Sequence, residues 1–344
     1  MRLLLSACEE SGDRIAARLA PHLADLLEGA HLAGSCGRAM EAAGVERLAR
    51  AEAFSHVGWA SVVRSLPHLA WSLWRYVRAV DAFRPRAAVL VDAPGVHRML
   101  IRRLALRGVR TVWVAPPQLW AWRGRKLTGL EGLRAHPLHG FEEDSLRDCG
   151  LDAQWLGYPG GEAPAGEMDR DLLVLLPGSR PHWRRIHREL FARTAAGLDV
   201  PLRAVFVHPH SRGAEEGLEC LTPEEAFPRA ALALAMPGTG ALELARRGVP
   251  TVLAARPGRL DAHLARRRLD PGFKGLPNRI LGREVFPERF ATDLSEQELT
   301  PVLADLWERR EETRERLAGL EGLLWAQGAE RRIAGSVAEV VRGG

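Results

Sequence analysis

Short apolar runs alternate with amphipathic stretches along most of the 344-residue chain, and this alternation strongly limits the folds available to it. Residues 87–91 (Ala-Ala-Val-Leu-Val) are all apolar, which is typical of a parallel strand covered on both faces. The stretch 97–107 that follows has helical spacing, and a second apolar run, 111–114, comes next. Such alternation predicts parallel sheets whose strands are joined by right-handed helical crossovers.

The same pattern covers both halves of the chain. Strands are predicted at 3–7, 31–35, 87–91, 111–114, 172–176, 204–207, 231–235 and 250–254, and helices at 14–28, 97–107, 182–197, 238–247, 296–316 and 319–341. A Gly- and Pro-rich segment at 157–166 separates the two series. We therefore predict an α/β protein of two Rossmann-like domains facing across a cleft, residues 1–158 and 159–318. The C-terminal helix 319–341 is expected to pack back on the first domain.

Composition excludes several classes of protein. The chain is 46% apolar, which is too high for a disordered chain, and its apolar runs are too short for a membrane-spanning helix. The apolar start is ended by Glu9, too early for a secretory leader, so we expect a cytoplasmic protein. The four cysteines lie far apart without a CxxC pair, which argues against a zinc site or a disulfide scaffold.

The formal charge of +5 is only a weak indication of a nucleic-acid partner. The basic residues are scattered and nearly all Arg, with only Lys126 and Lys274 as Lys, whereas nucleic-acid binding usually shows as a basic stripe. The chain also holds a single Asn, Asn278. This depletion is typical of a codon bias, and it favours a functional reason for the one Asn that is present.

In the first half, unusual residues follow the predicted strands, where open α/β sheets bind ligands. After the first strand come Glu9, Ser11, Gly12 and Asp13, a turn-capable segment whose amides could approach an anion or a sugar hydroxyl. After the 87–91 strand comes Asp92, which is well placed for a general base. In both segments the alternative is ordinary capping of the following helix.

A tryptophan pair follows the 111–114 strand. Trp120 and Trp122 are two residues apart, so they cannot share a helix face, and Arg123 comes directly after them. At least one indole is therefore expected to be exposed or to line a pocket, where it could pack on a sugar ring or an acyl chain.

The second half carries the pattern of a nucleotide site. Gly178, Ser179 and Arg180 lie between a predicted strand and a helix, where the amides and the guanidinium suit a diphosphate. Gly238 and Thr239 open a later helix, and Glu243 lies one turn inside it, where its carboxylate could accept two ribose hydroxyls. An ordinary acid favoured by the helix dipole is the alternative for Glu243.

Taken together, these residues resemble the lipid-A-disaccharide synthase family, glycosyltransferases of the two-domain GT-B fold. The matching blocks occur in the family's order, at Glu9–Asp13, Gly34–Met40, Val91–Pro94, Trp120–Arg123, Phe141–Glu142, Leu176–Arg180, Gly238–Glu243, Leu276–Asn278 and Gly282–Glu284. Three of them, Trp-Ala-Trp-Arg, Leu-Pro-Gly-Ser-Arg and Leu-Pro-Asn, are together far more specific than any one alone.

The resemblance implies an inverting transfer of an acylated glucosamine from a UDP donor to the 6-hydroxyl of an acylated glucosamine 1-phosphate, forming a β-1,6 disaccharide lipid. It assigns Asp92 as the base, and the first-half residues, Glu9 to Asp13 with Trp120, Trp122 and Arg123, to the acceptor side. It assigns binding of the UDP-sugar to the residues Gly178, Ser179, Arg180, Gly238, Thr239, Glu243 and Asn278. The fold uses helix N-termini and Arg instead of a metal, so no cofactor is expected.

Two departures from the family lie in the acceptor half. Tyr158 stands where the family usually has His, and Ser61 where it often has Glu. A transferase acting on a different lipid and a non-catalytic sugar-nucleotide binder therefore stay open as alternatives. A UDP-N-acetylglucosamine epimerase is disfavoured by the Trp-Ala-Trp-Arg block, and a nucleic-acid partner by the lack of a basic stripe. The sequence does not decide whether the chain forms a homodimer.

The segment 59–78 predicts contact with an anionic membrane surface. It holds three Trp, one Tyr and three Arg and no acidic residue. If Pro67 opens a helix, Leu66, Leu69, Ala70, Leu73 and Val77 form a stripe toward the core, and Trp71, Trp74 and Arg78 form a neighbouring stripe. Trp and Arg together suit a lipid interface, so the protein is expected at the inner face of the cell membrane. The alternative is that these Trp complete the core.

Overall fold

The computed structural model describes residues 1–54, 59–121, 127–161, 170–178, 181–208, 213–268 and 272–343. The chain divides into two compact units, the first formed by 1–162 and 324–344 and the second by 163–323. Each unit is an α/β body built on one sheet, and the sheets are parallel apart from one antiparallel pair. The predicted α/β fold class is therefore confirmed.

The sheet of the first unit has the strand order β3-β2-β1-β4-β5-β6-β7, and all its pairs are parallel within the described residues. Its strands are β1 (Arg2–Ala7), β2 (His31–Cys36), β3 (Glu46–Arg50), β4 (Ala87–Val91), β5 (Arg110–Val114), β6 (Arg134–His136) and β7 (Asp152–Ala153). The central strands β1 and β4 are buried almost throughout, as strands covered on both faces must be.

The sheet of the second unit has the order β10-β11-β9-β8-β12-β13-β14. Its strands are β8 (Leu172–Leu176), β9 (Arg203–Val207), β10 (Gly213–Glu215), β11 (Leu218–Leu221), β12 (Ala230–Ala235), β13 (Thr251–Ala255) and β14 (Glu288–Phe290). Strands β10 and β11 form an antiparallel hairpin at one edge. The central strands β8 and β12 pair in parallel.

The helices of the described residues are α1 (Glu10–Leu26), α2 (Arg38–Ala42), α3 (Trp59–Phe83), α4 (Pro94–Ala105), α5 (Glu143–Arg147), α6 (Pro181–Ala196), α7 (Pro223–Ala226), α8 (Thr239–Arg246), α9 (Arg259–Arg268), α10 (Leu276–Leu281), α11 (Glu296–Glu308), α12 (Arg310–Leu317), α13 (Leu320–Leu324) and α14 (Ala329–Arg342). Short 3-10 turns lie at Ala51–Phe54, Leu119–Ala121, Gly140–Glu142 and Phe227–Arg229.

Apolar side chains cover both faces of the first sheet. One core joins α1 and α14 to the sheet through residues such as Leu19 and Ile333. The other joins α3 and α4 through Tyr76 and Leu100, around the buried Trp113. Burial of each large apolar side chain contributes about 1.5–3 kcal/mol. The C-terminal helix α14 thus lies against α1 in the first unit.

Two helices begin earlier than the sequence predicts. Helix α1 begins at Glu10 and not at residue 14, so that Ser11, Gly12 and Asp13 lie in its first turn. Helix α4 begins at Pro94 and not at residue 97. A proline fits this position because the first helical residue needs no amide hydrogen.

Two long predicted helices are each divided into two in the structure. The prediction 296–316 corresponds to α11 and α12, and 319–341 to α13 and α14, which are separated by left-handed backbone at Trp325 and Gly328.

Several strands of the structure were not predicted from the sequence: β3, β6, β7, β10, β11 and β14. They are short, and polar residues interrupt or dominate each of them, so they lack a continuous apolar run.

Helix α3 differs from its prediction in where it starts and in what it buries. It begins at Trp59, so Pro67 lies inside it. Ala70, predicted on the core stripe, is exposed, whereas Tyr76 and Val80 are buried. Within the described residues, no helix is both long enough and apolar enough to cross a bilayer.

Candidate active site

The two loops that carry the predicted first-half residues start side by side. Strands β1 and β4 pair in parallel, with Ala7 opposite Val91, so the residues that follow both strands leave the same edge of the sheet. Gly12 allows α1 to approach closely: a Cβ at this position would lie 3.3 Å from the Val91 oxygen and 3.4 Å from the Asp92 Cβ. The small residue therefore brings the start of α1 against the Asp92 loop.

Ser11 and Asp92 are in direct contact. The Ser11 hydroxyl donates to Oδ2 of Asp92 at 3.4 Å, and both residues are half-buried. The structure thus brings Ser11, Gly12 and Asp92 together, as a site at the carboxyl edge of the sheet requires. A half-buried carboxylate beside a hydroxyl can accept a proton from an alcohol that reaches it.

The backbone of Asp92 adopts a left-handed conformation, with φ of 59°, and Ala93 follows it with φ of 49°. The Asp92 amide donates to the Val114 oxygen of β5 at 2.9 Å. Its carbonyl oxygen accepts from His97 Nδ1 at 2.7 Å and from the Trp113 indole at 3.1 Å. Hydrogen bonds on both sides of the residue fix the direction in which its side chain leaves the sheet.

Asp13 and Glu9 lie in the same segment but make different contacts. The Asp13 carboxylate is 5% exposed and accepts from the amides of Gly37, Ala39 and Met40 at 2.7, 2.9 and 3.3 Å. It therefore caps α2, a neighbouring helix, and not the helix that contains it. Glu9 is half-buried and precedes α1 in extended backbone.

Trp120 is held by a buried carboxylate. Its indole donates to Glu142 Oε1 at 2.8 Å, while Glu142 Oε2 accepts from the His139 amide at 3.0 Å. Trp120 is half-buried, and Trp122 and Arg123 lie outside the described residues. The ring of Tyr158, one of the departures from the family, stacks on His139 with centroids 5.7 Å apart. Burial lowers the pKa of His139 to about 3.

The second unit repeats the arrangement of adjacent loops. Strands β8 and β12 pair with Leu176 opposite Ala235, so the loop holding Gly178 and the loop before α8 start side by side. Gly178 has φ of 99°, and a Cβ there would lie 3.0 Å from Met236 Sδ. Ser179 and Arg180 lie outside the described residues. Gly238 and Thr239 are exposed at the start of α8, where amide groups point outward.

Glu243 belongs to an ion-pair network on α8. Its Oε2 lies 3.2 Å from Arg247 Nη1, and its Oε1 lies 3.6 Å from Arg246 Nη1. The Arg246 side chain is fully buried and also pairs with Glu321 at 2.6 Å. These ion pairs hold the Glu243 carboxylate near the start of α8.

Asn278 is buried, and its carboxamide is engaged by the protein itself. Its Nδ2 donates to the Phe286 oxygen at 2.7 Å and to Glu288 Oε1 at 2.9 Å, and its Oδ1 accepts from the amides of Val285 and Phe286 at 2.8 Å each. Two donor hydrogens and two acceptor lone pairs are the full capacity of a carboxamide. This geometry favours a positioning role for Asn278 over direct contact with a nucleotide-sugar.

Sequence reasoning did not single out Glu288, Glu321 or His97 as site residues. Glu288 accepts from the amides of Lys274 and Gly275 at 2.9 Å each, besides its contact with Asn278. It thereby fixes the loop that enters α10. The partners of the Glu288 carboxylate lie 10 to 14 residues away and that of Glu321 lies 75 residues away, without a motif spacing, so no local signal could have identified these two residues. Glu142 was included only within a block of the family resemblance.

Structures of the same fold include transferases and epimerases. The glycosyltransferase of kitacinnamycin matches with a TM-score of 0.67 at 15% identity, covering 99% of both chains. The UDP-GlcNAc 2-epimerase from Neisseria meningitidis, bound to UDP-GlcNAc, matches with a TM-score of 0.62 at 12% identity, covering 98% of this chain and 100% of that one. At these identities the likeness shows the fold alone. The fold class is the two-domain GT-B type.

Sequence relatives identify the family within that class. The family model of lipid-A-disaccharide synthetase matches residues 3–319. The lipid-A-disaccharide synthase of Bradyrhizobium diazoefficiens is 32% identical over 338 residues, covering 89% of this chain and 86% of the relative. That of Rhodopseudomonas palustris is 33% identical over 348 residues, covering 92% and 88%. The chain belongs to the lipid-A-disaccharide synthetase family, as its motifs indicated, and is a glycosyltransferase of that family.

The contacts of Asn278 lead to a test of its role. Replacement Asn278→Ala leaves buried main-chain groups of Val285 and Phe286 without partners, so the loop should lose about 2–4 kcal/mol of stability. Hydrogen exchange of the segment 272–290 should accelerate accordingly, whereas Gln297→Ala, at an exposed position nearby, should leave it unchanged. Normal exchange combined with lost UDP affinity would instead mean that Asn278 contacts the ligand directly.

Proposed function

We propose that this chain transfers an acylated glucosamine from a UDP donor to the 6-hydroxyl of a lipid-linked glucosamine phosphate, with Asp92 as the base. The family membership supports the reaction class. The observation that carries the assignment of the base is the placement of Asp92 at the carboxyl end of β4, in contact with Ser11 and fixed by its backbone hydrogen bonds.

Deprotonation of the acceptor makes the hydroxyl a stronger nucleophile toward the sugar's anomeric carbon. Asp92 would take the proton as the new glycosidic bond forms and as the bond from the anomeric carbon to UDP breaks. The direct contact from Ser11 would orient one carboxylate oxygen and leave the proton to the other. Displacement from the face opposite UDP inverts the anomeric carbon.

The second unit would bind the donor. The loop containing Gly178 and the first turn of α8 present amide groups at adjacent strand ends, which is the arrangement that favours phosphate oxygens. Arg180 would add a bidentate contact, and Glu243 would accept the ribose hydroxyls. Leaving-group charge would then be stabilised by amides and guanidinium, so we propose that the reaction needs no metal or other cofactor.

The first experiment separates catalysis from binding. Asp92→Asn removes the basic oxygen while keeping the shape of the side chain, so turnover should fall by about 10²–10⁴. Calorimetry in EDTA should show that UDP still binds, because the nucleotide contacts lie on the other unit. Asp25→Asn, an exposed carboxylate change on α1, serves as the matched control and should leave both quantities unchanged.

Three outcomes would contradict this proposal. Near-normal turnover of Asp92→Asn would remove Asp92 from the mechanism, and an inactive wild type that still binds UDP would favour the non-catalytic alternative. Loss of UDP binding on chelation would contradict the metal-free mechanism.

Helix α3 supports a second part of the proposal, contact with a membrane. Trp71 and Trp74 are 52% and 54% exposed. The Arg75 guanidinium lies 4.6 Å from the Trp71 ring centre, and that of Arg78 lies 5.1 Å from the Trp74 ring centre. Exposed indoles do not complete the core of the first unit, which disfavours the core interpretation for these two residues.

Further arginines lie close to the exposed indoles of α3. Arg78 also lines a surface recess of about 620 Å³ together with Arg2, Arg84 and Asp81. The Asp81 carboxylate is paired with Arg103 at 2.6 Å, which leaves the recess with an excess of cations. We propose that this surface meets anionic headgroups while the indoles lie at headgroup depth. The protein would then reach its acylated acceptor from the inner face of the cell membrane.

Vesicle binding tests this surface. The protein should sediment with vesicles of mixed phosphatidylcholine and phosphatidylglycerol at low salt and be released at high salt, because the attraction is screened. The double change Trp71→Ser with Trp74→Ser should reduce sedimentation without altering UDP affinity. As a control, Phe290→Ser with Leu323→Ser removes exposed apolar side chains of the second unit and should have no effect. Equal sedimentation of both double variants would exclude α3 as the docking surface.

A further inference from the structure

His97 is fully buried in the first turn of α4, directly behind Asp92. Its Nδ1 lies 2.7 Å from the Asp92 carbonyl oxygen. Since a carbonyl oxygen can only accept, the hydrogen must sit on Nδ1, and in a neutral ring Nε2 is then an acceptor. The contact with Asp92 therefore fixes the tautomer of this histidine.

The other side of the ring meets a directed chain of hydrogen bonds. His97 Nε2 lies 3.1 Å from the Ser6 hydroxyl, which must donate to it. Ser6 in turn accepts from the Tyr76 hydroxyl at 2.6 Å, and Tyr76 accepts from the Ser35 amide at 3.2 Å. Each group donates once toward His97, so the chain from β2 through α3 and β1 has a single consistent direction.

The surroundings also keep the ring neutral. Burial lowers the pKa of His97 to about 4, against which the hydrogen bond to Asp92 acts only in part. Nε2 faces the Ser6 hydroxyl at 3.1 Å and the Cys8 sulfur at 3.6 Å, and burial raises the pKa of the Cys8 thiol to about 12, so neither group supplies a negative charge to stabilise a protonated ring. The ring thus presents one donor to Asp92 and one acceptor to Ser6 at neutral pH.

The Asp92 backbone needs such support. Two consecutive residues other than glycine, Asp92 and Ala93, adopt left-handed backbone, which such residues keep only where the surroundings hold it. Trp113 shares the Asp92 carbonyl with His97, but at 3.1 Å against 2.7 Å. Loss of the shorter bond would allow the peptide after Asp92 to rotate and would move its carboxylate.

We propose that His97 is a positioning residue for the transfer: it holds the Asp92 backbone in the conformation that presents the carboxylate to the acceptor hydroxyl, and the Ser35–Tyr76–Ser6 chain supports the Nδ1–H tautomer that this contact requires. This proposal rests on the role of Asp92 in the proposed function. His97 touches neither substrate, so removing it should reduce kcat and leave the KM for the donor nearly unchanged.

A spectroscopic test does not depend on activity. In ¹⁵N-labelled protein at neutral pH, long-range ¹H–¹⁵N correlation spectra should show His97 as the neutral Nδ1–H tautomer, with the signal assigned by its absence in His97→Phe. Finding the Nε2–H tautomer or a protonated ring would overturn the proposal, whatever reaction the protein catalyses.

A double-mutant cycle tests the consequence for catalysis. His97→Phe keeps the ring and removes both hydrogen bonds, and kcat should fall about 10- to 100-fold, as expected for a reacting group displaced by roughly 1 Å. In the Asp92→Asn background the same change should cost nothing further, because His97 acts only through Asp92. His136→Phe is the matched control: His136 is also buried and bonds a backbone oxygen, that of Gln154, and its replacement should leave kcat unchanged.

The outcomes separate the two proposals. If Asp92→Asn retains turnover, the proposed base is wrong. If Asp92→Asn is impaired but His97→Phe is not, or if the two losses add in the double variant, the positioning role alone is wrong. Should His97→Phe fail to fold, Tyr76→Phe removes one oxygen of the chain and should still lower kcat several-fold at constant KM, and an unchanged kcat in that variant would contradict the proposal.

Discussion

The parallel register of β1 and β4 is the constraint on which the first unit's site depends. Because Ala7 lies opposite Val91, the chain leaves both strands at the same level, and the first turn of α1 meets the loop that carries Asp92. Gly12 permits the approach, since a Cβ there would press on the Val91 oxygen. Ser11 can then reach the Asp92 carboxylate. The candidate site therefore depends first on strand pairing, which places the loops that carry its residues side by side.

In the second unit, strand register again determines which loops lie side by side, and buried polar groups hold the neighbouring segments. Register between β8 and β12 places the Gly178 loop beside the start of α8. Buried polar groups then fix the neighbouring segments: Asn278 and Glu288 hold the entry to α10, and the buried Arg246 holds Glu243 and Glu321. Such groups are stable in the interior only because each has its partners, and the same partners give these loops one defined conformation. The candidate binding groups of this unit thus depend on polar contacts beneath them.

The architecture could be predicted from the sequence because it follows from apolar runs and from helical spacing that extends over many residues. The apolar runs of β1, β4, β8 and β12 and the helical spacing between them need no knowledge of the fold. The residues Ser11, Gly12 and Asp92 could also be selected, because each follows a predicted strand. The capping of α2 by Asp13, the occupied carboxamide of Asn278 and the His97 contact could not be predicted. The Asp13 contact with Gly37 joins residues 24 apart, whose approach is set by packing. The His97 and Asn278 contacts join residues only 5 to 10 apart, but they depend on loop conformations that no sequence pattern indicates. The edge strands were missed since their burial is partial and their sequences are polar.

The most direct test of the account is analysis of the product. Purified protein would be given UDP-linked acylglucosamine and acylglucosamine 1-phosphate, and the lipid product would be examined by mass spectrometry and by NMR of its anomeric proton. We expect an acylated disaccharide 1-phosphate with a β linkage to the 6-position, formed in equal amount to UDP. Release of UDP without a disaccharide, an α linkage, or epimerisation of the donor sugar would contradict it.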